Sequence, residues 1–169
     1  VAYGLGGDKA PSLERHAGCH LTADQFHKAM SEGGAAAPET VVIDVRNAYE
    51  SVVGHFQPPP GGAELIDPKL RNSIEFPKWL NAPETQQKLH GKQVLMYCTG
   101  GIRCEKASAF LLSNGCKNVC QLKGGIHRYI EYMRNEEEDK SSWKGKNFVF
   151  DGRVVQPEER STSAVVGTC

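Results

Sequence analysis

The stretch Gln93-Val94-Leu95-Met96-Tyr97-Cys98-Thr99-Gly100-Gly101-Ile102-Arg103-Cys104 decides the fold. Its first six residues, apolar from Val94 onward, read as a strand of the kind buried on both faces of a parallel sheet. Two glycines follow almost at once. Cys104 to Asn114 then reads as a helix with Ala107, Phe110 and Leu111 facing inward and Asn114-Gly115 as its stop. Strand, glycine turn and helix in direct succession are the repeating unit of a parallel α/β fold.

Working outward, the same pattern recurs. Val41-Val42-Ile43-Asp44-Val45 is a second β-branched buried run, and Val119 to Leu122 is a third short strand. Thr22 and Gln25 make a capping box for a helix whose Ala23, Phe26, Ala29 and Met30 share a face, with Gly33-Gly34 ending it. Gly124-Gly125 precedes another helix, in which Ile126, Tyr129, Ile130 and Met133 keep helical spacing. Between these, Pro58-Pro59-Pro60-Gly61-Gly62 predicts an extended loop without regular elements, because proline lacks the amide proton and biases its predecessor away from helix. Phe76 to Leu89 is weakly helical. Glu136 to Lys140 reads as a solvated helix end, and Phe148-Val149-Phe150 as an edge strand.

The chain has 169 residues, 39% hydrophobic and 24% charged, enough to bury one globular core, which excludes a disulfide-stapled miniprotein and a disordered chain. Twenty basic residues balance twenty acidic ones, so no global positive field recruits nucleic acid. No apolar run is long enough for a bilayer, and Val1 opens no export signal, so no membrane association is expected and the cytosol is the default compartment. Six cysteines without a leader are expected to be free thiols in a reducing environment.

Reactive groups in parallel sheets gather beyond the carboxyl ends of strands, where the amides of the next helix point outward. Cys98 lies at such an end. Gly100 and Gly101 carry no side chain to obstruct, so amide protons between Thr99 and Cys104 can converge on the sulfur, and Arg103 favours thiolate over thiol. The alternative is a small buried hydrophobe, the commoner fate of a free cysteine. Such a residue needs neither two following glycines nor an arginine at the helix start. A low-pKa nucleophile is therefore expected.

The run from Cys98 to Ala107, together with Asp44-Val45-Arg46-Asn47-Ala48-Tyr49-Glu50, Gly54-His55-Phe56 and Leu122-Lys123-Gly124-Gly125-Ile126, resembles the rhodanese-like sulfurtransferase domain over about His20 to Met133. Within that superfamily, Phe76-Pro77-Lys78-Trp79 and the run Trp143 to Asp151 resemble the tRNA uridine hydroxylases and their eukaryotic rhodanese-like-domain-containing relatives, as far as about Val155. The resemblance implies an α/β fold with a five-stranded parallel sheet flanked by helices. It divides the chain into a lead-in over residues 1–19, the rhodanese-like domain over 20–155, and a flexible tail over 156–169 leading to a cysteine-rich segment. Cys98 would accept sulfane sulfur from a donor such as thiosulfate and, as a persulfide, pass it to a thiol acceptor. Arg103 would act with it by steering an anionic donor. Thr99, Gly100, Gly101, Ile102 and Cys104 would line the substrate loop. No cofactor or metal is implied, and tRNA is a partner only of the full-length protein. Related cysteine phosphatases place the arginine one residue later, so the four residues between Cys98 and Arg103 disfavour phosphate.

Asp44, Arg46, Glu50 and His55 are expected to be structural support. An Arg46–Glu50 pair at i, i+4 accounts for both charges, and a loop hydrogen bond accounts for the histidine. Cys104, one helical turn beyond the cradle, is either a resolving thiol or a buried helix residue. Cys116 and Cys120 are expected in the core rather than on a metal. Lys92, Lys117, Lys123, Arg128 and Lys144 form either a basic surface for tRNA or a scatter of solubilising charge. Two other functions compete with sulfur transfer: the central domain of an oxygen-dependent tRNA wobble-uridine hydroxylase, and a non-enzymatic interaction module, against which the intact Cys98 and Arg103 speak.

Overall fold

A computed structural model describes residues 17–32, 39–136, 140–149 and 155–156. In chain order the elements are β1 (Cys19–Leu21), α1 (Ala23–Ser31), β2 (Thr40–Asp44), α2 (Ala48–Ser51), β3 (Gly54–Phe56), β4 (Glu64–Ile66), α3 (Glu75–Leu80) and α4 (Pro83–Leu89). They continue with β5 (Gln93–Tyr97), α5 (Ile102–Ser113), β6 (Asn118–Leu122), α6 (Gly125–Arg134), β7 (Trp143–Gly145), β8 (Asn147–Phe148) and β9 (Val155–Gln156). Five strands form one parallel sheet in the order β1-β6-β5-β2-β4. Strand β3 pairs antiparallel with β7, and β8 with β9.

All five residues of β2 are buried, as a central strand covered on both faces requires. Because side chains alternate along a strand, Val41 and Ile43 join Val94, Met96 and Val119 on one face, under Phe76, Leu80 and Leu89 of α3 and α4 and Ala107, Phe110 and Leu111 of α5. Val42, Leu95, Tyr97 and Leu122 form the other face, under Phe26 and Met30 of α1 and Ile126, Tyr129, Ile130 and Met133 of α6. Each such large apolar side chain contributes about 1.5–3 kcal/mol on burial. Asp44 and Tyr97 are register partners at the carboxyl ends of β2 and β5, so the segments leaving both strands emerge side by side.

Several expectations are corrected. Cys19, expected to close the lead-in, opens β1, and Glu64–Ile66, just after the Pro58–Gly62 loop, which holds no helix or strand as expected, is a sheet strand that the sequence reading did not single out. Their pairing with β6 and β2 supplies what three-residue segments cannot specify alone. The 76–89 stretch is two helices, broken ahead of Pro83, which starts the second. Of the edge strand expected at Phe148 to Phe150, Phe148 lies in β8, paired with β9, and Val149 lies outside it. The expectation of six free cysteines fails, since register brings Cys19 opposite Cys120 and the two form a disulfide. Oxidising surroundings preserve such bonds, so the thiol argument for a reducing compartment loses its basis. Lys92 and Lys117 precede β5 and β6 whereas Lys123 follows β6, which puts them at opposite ends of the sheet and not on one basic surface. His16, Gly33-Gly34, Glu137 to Asp139, Phe150 and Cys169 lie outside the described residues, as do residues 157–169 of the expected tail. Among the described residues no helix is long and apolar enough to cross a membrane.

Candidate active site

Strand β5 delivers Cys98 to the carboxyl edge of the sheet, and the chain turns through Thr99-Gly100-Gly101 into α5. Gly101 caps that helix with φ +91°, a left-handed conformation that disfavours any side chain. Gly100 has open space where a Cβ would stand, so the steric need for glycine lies at Gly101 alone. The Gly101 amide donates to Cys98 Sγ at 3.1 Å. From behind, the start of α6 supports the loop, with the Ile126 amide donating to the Cys98 carbonyl at 3.0 Å and the His127 amide to the Thr99 carbonyl at 3.3 Å. A Cβ on Gly125 would lie 2.5 Å from both of those carbonyl oxygens. No functional role was expected of this glycine; the Gly124-Gly125 pair at a helix start was the signal available.

Cys98 is almost completely buried, and its thiol is brought down to about 6. A hydrogen bond from the Cys104 thiol is the chief cause; burial opposes it, and the Arg103 guanidinium and the amides of Cys104 and Arg103 add to it. Cys104, fully buried on the first turn of α5, is pushed the other way, first by burial and then by the Cys98 sulfur. The two sulfurs therefore form an asymmetric pair: the surroundings favour the charged form of Cys98 and the protonated form of Cys104, whose thiol donates to it.

Arg103 does not stand open over the cradle. Nη1 and Nη2 donate to Glu50 Oε2 and Oε1 at 2.6 and 2.7 Å, and Nη2 also donates to Thr99 Oγ1 at 3.1 Å. The Thr99 hydroxyl donates to Glu50 Oε1 at 3.2 Å, so it belongs to this ring of contacts. Glu50 is held in turn by the Asn47 amide on its Oε2 at 3.0 Å. Ile102, 74% exposed, forms the rim.

The expected Arg46–Glu50 side-chain pair is not formed. Arg46 is buried against Asp44, with Nε to Oδ1 at 2.9 Å and Nη2 to Oδ2 at 2.6 Å, and it reaches Glu50 only at the main-chain carbonyl, 3.4 Å from Nη1. Its Nη2 also meets the Gly54 carbonyl at 2.6 Å, and its guanidinium lies 5.5 and 5.4 Å from the ring centroids of Tyr97 and Trp143. The Tyr97 hydroxyl donates to Asp44 Oδ2 at 2.7 Å. Its own ionisation is pushed well up, by burial and then by Asp44. Asp44 and Arg46 thus hold the ends of β2 and β5 to β3 and β7 and do not reach toward substrate. His55 Nδ1 donates to the Ser51 carbonyl at 3.0 Å, a scaffold contact. Cys116 is a free, half-buried thiol, and Cys120 is taken by the disulfide.

Residues 22–132 match the rhodanese-like domain family. Over 165 residues, 95% of this chain and 26% of the relative, the sequence is 39% identical to rhodanese-like domain-containing protein 6 of Arabidopsis thaliana. It is 50% identical over 118 residues, 69% of this chain and 34% of the relative, to the tRNA uridine(34) hydroxylase of Sinorhizobium medicae. The chain therefore spans about a quarter to a third of the length of these two relatives. A single domain sulfurtransferase of Saccharomyces cerevisiae superposes with a TM-score of 0.50 at 20% identity, covering 70% of this chain and 93% of the other, a likeness of fold.

Proposed function

The chain belongs to the rhodanese-like domain family, and we propose that it carries sulfane sulfur on Cys98 as a persulfide and passes it to a thiol acceptor. The observation that supports this reading is the Cys98 sulfur, buried yet favoured as a thiolate by the Cys104 thiol, by Arg103 and by amides at the start of α5. The thiolate attacks the sulfane sulfur of a small donor, of which thiosulfate is the simplest. A bond forms between Sγ and that sulfur, the donor's sulfur–sulfur bond breaks, and the remainder departs with the bonding pair. The negative charge of the resulting persulfide rests on its outer sulfur, where main-chain amides of the Gly100-Gly101-Ile102 turn can solvate it. An acceptor thiolate then takes the outer sulfur and returns Cys98 to its starting form. Cys104 serves as hydrogen-bond donor to the thiolate; as a resolving nucleophile it would first have to lose the proton that burial retains.

Intact-mass spectrometry after treatment with saturating donor tests the reading. The wild-type chain should gain one sulfur atom, and Cys98→Ser should gain none. A wild-type Cys98 that stays an unmodified thiol at saturation defeats it.

The relatives named tRNA uridine(34) hydroxylase support a second reading, in which this domain is one part of a longer protein that modifies the wobble uridine of tRNA in an oxygen-dependent reaction. Nucleoside analysis of tRNA from cells with and without the full-length gene tests it. Equal hydroxyuridine in the two would remove it.

A further inference from the structure

Glu50 is fully buried, and its carboxylate is committed to the wall of the cradle. Both oxygens receive Arg103, one also receives the Asn47 amide and the other the Thr99 hydroxyl. Two parallel N–H···O bonds between a guanidinium and a planar anion are the geometry with which an arginine grips a carboxylate, a phosphate or the sulfonate end of thiosulfate. In this site an internal anion already occupies that grip, and the Arg103 side chain is only 13% exposed. The neighbouring guanidinium is closed in the same manner, since Arg46 lies against Asp44 with neither side chain in contact with solvent beyond 1%. The two carboxylates thus balance the two guanidiniums, and the cradle presents the negative charge of the Cys98 thiolate with main-chain amides around it. A dianion approaching that thiolate is repelled. A donor with one charge or none is far less so.

We propose that Glu50 determines the donor class: by occupying Arg103 with a two-bonded ion pair it withholds the cation a dianionic sulfonate donor needs, so that Cys98 draws its sulfur from an organic persulfide in preference to thiosulfate. This deepens the sulfur-carrier reading and rests on it. In the step itself the Cys98 thiolate attacks the outer sulfur of R–S–SH. A bond forms between Sγ and that sulfur, the S–S bond of the donor breaks, and R–S⁻ leaves with the electron pair and takes up the proton that the transferred sulfur carried, departing as R–SH. Cys98 retains S–S⁻. No oxidant or reductant is consumed, because the sulfane sulfur changes carrier without a change in the total electron count.

Loading of Cys98 is measured by intact mass for the wild-type chain and for Glu50→Gln, each with thiosulfate and, separately, with a small alkyl persulfide. In the wild type the thiosulfate loading constant should rise as salt is raised from about 20 to about 500 mM, because screening relieves repulsion between like charges. Glu50→Gln should raise thiosulfate loading relative to persulfide loading by about tenfold, the scale of one charge removed near a partly shielded site. A purely structural role for Glu50 would slow both donors together and leave their ratio unmoved. An unchanged ratio overturns the proposal, and so does a wild-type thiosulfate constant that falls with salt. The salt slope is read on the wild type and so decides the matter even if Glu50→Gln does not fold. If neither donor loads wild-type Cys98, the sulfur-carrier reading falls and takes this inference with it. If both donors load and either contrary result is found, the inference alone falls.

Discussion

At Cys98 the balance of forces on one sulfur makes a definite pH dependence. A thiol reacts as its thiolate, so the rate of Cys98 alkylation or persulfidation should rise with pH through a midpoint of about 6 and level off above it. One unit below the midpoint only about a tenth of the thiolate remains. Peptide mapping after haloacetamide pulses across the pH range reads this directly, and a midpoint at the value of an ordinary cysteine would refute it. Because the Cys104 thiol is the largest cause of the shift, Cys104→Ala should move the midpoint upward by on the order of one pH unit. Cys104→Ser, which keeps a donor at the same place, should move it less. Were Cys104 only a resolving thiol, neither variant would move the midpoint and both would alter the fate of the persulfide alone.

The elements around the site are fastened by contacts between segments distant in sequence. Arg46 joins the end of β2 to the carbonyls of Glu50 and Gly54 and lies beside the rings of Tyr97 and Trp143, with Asp44 as its one carboxylate partner among the described residues, at 2.6 Å. Removing one partner from a buried ion pair strands the other charge, at a cost of about 3–5 kcal/mol. Asp44→Asn is therefore expected to lose about that much in denaturant unfolding; a loss within about 1 kcal/mol would mean that Arg46 finds water or another anion. Gly125 acts at a closer distance. It has φ +67°, and a Cβ there would meet the Cys98 and Thr99 carbonyl oxygens at 2.5 Å and the Gly100 nitrogen at 2.7 Å, all main-chain atoms that cannot swing aside. Gly125→Ala should cost about 1–3 kcal/mol and displace the loop that holds the Cys98 sulfur, raising the pH midpoint of its alkylation. An alanine variant with wild-type stability and midpoint would show that α6 can retreat without disturbing the cradle.

Across the whole molecule, what the sequence made legible follows burial. Strands β2 and β5 were readable because both faces are covered and their central residues, Val41 to Ile43 and Val94 to Tyr97, form unbroken apolar runs, and the Cys98 loop because a glycine turn between strand and helix leaves few other readings. Edge strands β1 and β4 were not: each has three residues, two or more of them partly exposed, and each is specified by the neighbour it pairs with. Charge pairing was misread for a related reason. The i, i+4 spacing suggests Arg46 with Glu50, but Arg46 lies ahead of α2, and the Glu50 carboxylate finds its partner 53 positions away on α5. The Cys19–Cys120 bond is the extreme case, with its ends 101 positions apart in sequence and only sheet register to reveal it. Closing a loop of that length is worth about 4–5 kcal/mol in the chain-entropy account. β1 is the outermost strand, also tied to α5 by the Gly18 amide on Ser108 Oγ at 2.9 Å and by His20 with Glu105 at 2.6 Å. Reduction, or the Cys19→Ser variant, should lower the unfolding free energy by up to that amount and hasten amide exchange in β1 and its partner β6. The pH midpoint of Cys98 should stay in place, because β6 separates β1 from the strand that carries the sulfur to the sheet edge. Denaturant titration and hydrogen exchange with and without reductant test both halves. Unchanged stability on reduction would deny the bond its role in the fold, and a shifted Cys98 midpoint would mean that the edge of the sheet and the cradle are coupled, which the strand order gives no reason to expect.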